Sequence, residues 1–124
     1  MKTLIQNYTS ALSTEPMYIN RCLTETGFES VLWTEPNISA FDAFDYTKPD
    51  LFIGHYKFLT QDIVKYLAGN KNVSLALNVT GANEQELEQI ENLVELGVNM
   101  PLVFSNLYQP TATFKTKDVK FVHL

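Results

Sequence analysis

A single cysteine, Cys22, leaves the 124-residue chain without a partner for an intramolecular disulfide. With only two histidines beside it, the chain lacks the ligand set of a structural zinc site. Basic residues are also scarce: nine Lys and Arg face fourteen Asp and Glu, for a net charge of −5, and none of the nine cluster. A nucleic-acid surface needs the reverse balance. No apolar run approaches the roughly 18 residues that span a bilayer, and Met1 to Gln6 lacks the charged and apolar regions of a signal peptide. A reduced cytoplasm is the natural setting for such a chain.

What is present is ordinary for a globular protein: 45% hydrophobic, 19% charged and 12% aromatic residues. That length suits one domain, residues 1–124, with a sizeable core. Short apolar runs alternate with helical periodicity, which predicts an α/β domain around a mainly parallel sheet of five or six strands. Strands are expected at Thr3–Gln6, Phe28–Trp33, Leu51–Gly54, Val73–Val79, within Val98–Phe104 and at Val119–Val122.

Between them lie four helical stretches. The first starts at Glu15-Pro16, where a proline costs no hydrogen bond, and Gly27 ends it. Ile19, Cys22, Leu23 and Thr26 are its expected inner stripe. Ala40 to Tyr46 predicts about two turns with the aromatics turned inward. The third helix is capped by Thr60 and buries Ile63, Val64, Leu67 and Ala68. The fourth, Glu84 to Leu96, carries Leu87, Ile90, Leu93 and Val94 inside and Glu84, Glu88, Glu91 and Glu95 outside, with Gly97 as its stop. The expected architecture is a three-layer αβα sandwich, flavodoxin-like or Rossmann-like.

In such sheets ligands bind outside the carboxyl ends of the strands. The loop Asn7 to Thr14 is rich in hydroxyls and runs into a helix N-terminus, which can hold a sugar hydroxyl or an anion. It contains no glycine, so the dinucleotide fingerprint and the phosphate loop are both excluded and no cofactor is expected. His55, followed by Tyr56 and Lys57, stands at the mouth of the third strand. Histidine titrates near neutrality, yet no Ser, Cys or carboxylate stands at a spacing that builds a triad. A histidine bonding locally at a strand end is the plainer alternative. Asp42, Asp45 and Asp50 read as solvated acids, and the Glu-rich helix as a solvated face. Asn-x-Ser/Thr triplets begin at Asn7, Asn37, Asn72 and Asn78; without a signal peptide they read as unused.

Two families are similar in pattern. From Val73 to Phe104, and at Pro49-Asp50-Leu51-Phe52-Ile53-Gly54, the chain resembles a response-regulator receiver domain. That family's chemistry needs magnesium held by carboxylates, whereas here Asn7 and Tyr8 follow the first strand and His55 stands near the phosphoacceptor position. The resemblance implies a degenerate interaction module without phosphoryl transfer. Over most of its length the chain also resembles the N-terminal half of a GT-B-type glycosyltransferase. The resemblance rests on Phe41-Asp42-Ala43-Phe44-Asp45-Tyr46-Thr47-Lys48-Pro49-Asp50-Leu51-Phe52-Ile53 and on the closing run Lys120-Phe121-Val122-His123-Leu124. It implies an acceptor-side domain, non-catalytic alone, that works with a second domain. The apolar closing run suits a chain that stops at a domain boundary. The expected ligand is a carbohydrate or small molecule, held in one crevice by Tyr8, Ser10, His55, Tyr56, Thr80 and Asn83. The interaction-module alternative predicts a homodimer or another protein partner.

Overall fold

The computed structural model describes residues 1–7, 14–33, 38–79, 84–105 and 120–123. Strands and helices alternate along the chain: β1 (Lys2–Gln6), α1 (Thr14–Glu25), β2 (Glu29–Trp33), α2 (Ala40–Thr47) and β3 (Leu51–His55). After a 3₁₀ turn at Tyr56–Phe58 come α3 (Gln61–Gly69), β4 (Ser74–Asn78), α4 (Glu84–Glu95), β5 (Leu102–Ser105) and β6 (Lys120–His123).

The six strands form one sheet in the order β2-β1-β3-β4-β5-β6. Every pair is parallel. The chain goes from β1 outward to β2, then returns past β1 to β3 and continues in the opposite direction. The gap between β1 and β3 is therefore the topological switch point of a flavodoxin-like sheet.

Strand alternation divides the side chains between two faces. Leu4 is in register with Val31 and Phe52, and Phe52 with Leu75. Leu77 is in register with Val103. Apart from the exposed Val31, these residues belong to a core that includes Ala43 and Phe44 of α2, Ile63 and Leu67 of α3, and Ile90 and Leu93 of α4. At its centre Phe44 lies 5.0 Å from Phe52 and stacks on Tyr66 at 4.3 Å. Each such buried side chain contributes about 1.5–3 kcal/mol through removal from water. α1 lies on the other face: Ser30 Oγ donates to Asn20 Oδ1 at 2.6 Å, and Ser30 is in register with Thr3, not Leu4. Helices on both faces complete the three-layer αβα sandwich.

Local chemistry explains the element ends. The Ser39 hydroxyl accepts the Asp42 N–H at 3.2 Å and caps α2. Thr60 Oγ1 accepts the Ile63 N–H at 3.3 Å and caps α3. After α1 and α4 the chain turns through left-handed conformations at Gly27 (φ 91°) and Gly97 (φ 87°), which a side chain would strain.

Two expectations need correction. Cys22 is exposed. The inner stripe of α1 is Pro16, Ile19, Asn20 and Leu23, turned away from Cys22 and Thr26, because Asn20 points inward to meet Ser30. In α2 only Phe44 is buried among the aromatics; Phe41 and Tyr46 are exposed, since α2 packs through one narrow stripe on β1 and α3. Leu32 pairs with Ile5 on the α1 side of the sheet. Among the described residues no helix is long and apolar enough to cross a membrane.

Candidate functional site

Polar side chains are buried at the carboxyl edge of the sheet, where β1, β3 and β4 end: Gln6, His55, Asn78 and, from the first turn of α4, Glu86. Burying such groups is costly unless each is hydrogen-bonded, so the cluster needs a structural or a ligand-directed explanation.

Gln6 bridges the switch point. Its Oε1 accepts the His55 N–H at 3.2 Å, and its Nε2 donates to the Phe58 carbonyl at 2.7 Å. The amide crosses directly over Gly54. A Cβ on Gly54 would stand 3.3 Å from Gln6 Oε1, 2.9 Å from Phe52 Cε1 and 3.1 Å from Leu59 Cδ2. Glycine here keeps open the passage through which Gln6 reaches β3 and the turn beyond it.

His55 ends β3 and caps the 3₁₀ turn: its Nδ1 accepts the Lys57 N–H at 3.1 Å. In the neutral imidazole the proton therefore sits on Nε2. The ring is only 4% exposed and lies between Tyr56, at 5.2 Å between centroids, and Phe58, at 5.4 Å. Burial holds its pKa below the ordinary histidine range, and the Lys57 ammonium pushes in the same direction. The Glu86 carboxylate opposes them. Lys57 also sits over the Tyr56 ring, 5.9 Å from its centroid. Gln89 Nε2 donates to the Tyr56 carbonyl at 3.4 Å, tying the turn to α4.

Asn78 is in register with His55, so two polar residues stand side by side at the ends of β3 and β4. Glu86 is 1% exposed and within electrostatic reach of His55. It occupies the same helical stripe as Ile90 and Leu93, at spacings of four and seven residues. Immediately after β1, the buried Oδ1 of Asn7 has no hydrogen-bond partner among the described residues.

Of the six residues expected to line a crevice, the structure brings His55 and Tyr56 together at this edge. Tyr8, Ser10, Thr80 and Asn83 lie outside the described residues, as does the side chain of His123. Gln6, Asn7, Asn78 and Glu86 were not among the six. Gln6 and Asn78 had a legible signal, a polar residue at the last position of an apolar strand. Glu86 also had one, an acid in phase with Ile90 and Leu93. The local bond at His55 matches the plainer reading of that residue.

A buried row of amide, imidazole and carboxylate groups can hold a hydroxylated ligand by donating and accepting hydrogen bonds. Among the described residues no Ser, Cys or Thr joins the cluster. Among the described residues no group of three or more His, Cys, Asp or Glu is placed to hold a metal ion. No known protein-family model and no curated protein sequence matches this chain.

Proposed function

We propose that this domain holds a hydroxyl-rich ligand, a carbohydrate or similar small molecule, at the carboxyl edge of its sheet. In this reading it is the acceptor-side half of a GT-B-type glycosyltransferase and does not turn over substrate alone. The observation that carries the reading is Asn7 Oδ1, a buried acceptor directly after Gln6 at the end of β1 that has no hydrogen-bond partner among the described residues. A ligand hydroxyl donating to it would remove the cost of burying it unpaired. Tyr56 and Phe58 beside the imidazole supply an apolar platform for a sugar ring. A charge of −5 and a lone cysteine suit a reducing cytoplasm.

Saturation-transfer NMR against a panel of mono- and disaccharides tests this. Transfer to at least one sugar, lost in Asn7→Leu while the fold is kept, is the expected result. No transfer to any sugar, or transfer indifferent to Asn7→Leu, overturns it.

A second reading, a receiver-like interaction module, is favoured by one observation: the first five strands follow the order 2-1-3-4-5 that flavodoxin-like and receiver domains share. Asn7 and Tyr8 follow the first strand where magnesium would require carboxylates, so its role would be association. Sedimentation at micromolar concentration separates the two readings. A stable dimer that binds no sugar supports the second.

A further inference from the structure

The Nδ1 atom of His55 accepts the Lys57 N–H at 3.1 Å, a bond that caps the 3₁₀ turn Tyr56–Phe58. A ring nitrogen can accept only while it is unprotonated. The turn is tied at two further points, both main-chain carbonyls. Tyr56 O accepts from Gln89 Nε2 of α4 at 3.4 Å, and Phe58 O from Gln6 Nε2 of β1 at 2.7 Å. Its carbonyls are therefore held by amides that do not titrate, whereas the N–H between them is held by a group that does.

Protonation at Nδ1 sets a second N–H against the Lys57 N–H. Two donors cannot share that gap, so the ring or the Lys57 main chain must move. A charged ring also gains hydration by leaving its buried seat between Tyr56 and Phe58. Among the described residues the charges that act on the ring are the Lys57 ammonium from the turn and the Glu86 carboxylate from α4. Gln6 of β1 and Asn78 of β4 carry none, and the Tyr56 phenol is uncharged in acid. Burial first and Lys57 second oppose the charged ring and Glu86 favours it; the balance puts the change below the ordinary histidine value of about 6.5. The Nδ1 bond is complete above that value and is lost as pH falls through the folded one.

We infer that His55 is a proton-operated latch on the turn Tyr56–Phe58: the neutral ring holds the turn closed at the carboxyl edge, and the protonated ring releases it. The Gln6 and Gln89 bonds keep both carbonyls in place, so release is local and reversible, confined to the imidazole and the Lys57 main chain. Where it rests on the ligand reading above, the latch weakens that site in acid, because His55 is packed between the two rings of the platform.

An NMR titration from about pH 7.5 to 5 follows the His55 ring and the Lys57 amide in the same samples. Both are expected to change with one midpoint. Protection of the Lys57 amide, corrected for intrinsic exchange, should fall at least about fivefold across it, while the core amides of Phe52 and Leu75 stay unchanged. In His55→Asn the new side chain can accept the N–H two residues on but binds no proton in this range, so the Lys57 amide should stay protected throughout. If that variant does not fold, Lys57→Ala replaces it, and the amide and ring midpoints must rise together. A Lys57 amide indifferent to the ring's titration, a His55→Asn variant that titrates like the parent, midpoints that separate in Lys57→Ala, or a loss of protection spread over Phe52 and Leu75 overturns the latch. Saturation transfer from the mono- and disaccharide panel is read at both ends of the pH range. Transfer at least about threefold weaker at pH 5 in the parent and unchanged in His55→Asn supports the coupling to the site, and equal transfer at both ends overturns it. No transfer at either pH defeats the ligand reading alone, and the Lys57 amide then decides the latch.

Discussion

The Gln6 side chain and the His55 main chain are joined across the sheet's switch point, with Gln6 Oε1 accepting the His55 N–H at 3.2 Å. The same amide holds the Phe58 carbonyl at 2.7 Å, so one side chain fixes both the end of β3 and the turn that follows. Gln6→Leu leaves a buried donor and a part-buried acceptor without their partner. A loss of about 2–4 kcal/mol is expected, from about 1–3 kcal/mol for each unsatisfied group. Urea unfolding checks it; a loss below about 0.5 kcal/mol would mean that the bridge is replaced by water.

Gly54→Ala tests the space beneath that bridge. The added methyl meets Phe52 Cε1 at 2.9 Å in the core and Gln6 Oε1 at 3.3 Å. Overpacking of this kind costs about 1–3 kcal/mol. Thermal unfolding measures the cost, and hydrogen exchange at the His55 amide should accelerate if Gln6 is displaced.

The ionisation of His55 is set by three causes with opposite signs. Glu86→Gln removes the one that favours the charged ring, so the imidazole pKa should fall further. Lys57→Ala removes one that disfavours it, so the pKa should rise. Titration of the His55 ring by NMR distinguishes the two shifts. Movement in the same direction in both variants would show that the assigned causes are wrong.

The same depression makes stability depend on pH. The unfolded chain binds a proton near the ordinary histidine value of about 6.5, and the folded protein binds it only at lower pH. The unfolded state therefore holds more protons between the two values. Stability due to His55 is full above about pH 7 and is lost as pH falls through 6.5 towards the folded value. His55→Gln should flatten this part of the curve, measured as the difference between variant and parent in urea midpoint over about pH 5 to 7.5.

Cys22 should behave as an exposed thiol. In the folded protein it should react with a thiol reagent at close to the rate measured in urea. Protection by orders of magnitude would return it to the interior of α1.

The alternation of apolar runs with amphipathic stretches was legible as a parallel α/β sandwich, and Thr60, Gly27 and Gly97 were legible as helix ends. Those features act through the backbone within a few residues, so local sequence contains them. The phase of α1 was less legible. Cys22 and Asn20 are both plausible inner residues by spacing, and Asn20 is selected by its bond to Ser30, ten positions away. At the candidate site the distances in sequence are larger. Gln6 meets His55 across 49 residues, and Glu86 acts on a histidine 31 positions before it, which no periodicity reports.

By itself the chain determined the kind of layers it would make, because burial of Leu4, Phe52, Leu75 and Val103 requires strands covered by helices. Tertiary structure decided the strand order, hence which strand ends meet. It alone brought Gln6, His55, Asn78 and Glu86 to one edge. The physical reason is that hydrophobic burial is nearly indifferent to neighbour identity, whereas a hydrogen bond or a charge acts only on the group that the fold places within reach.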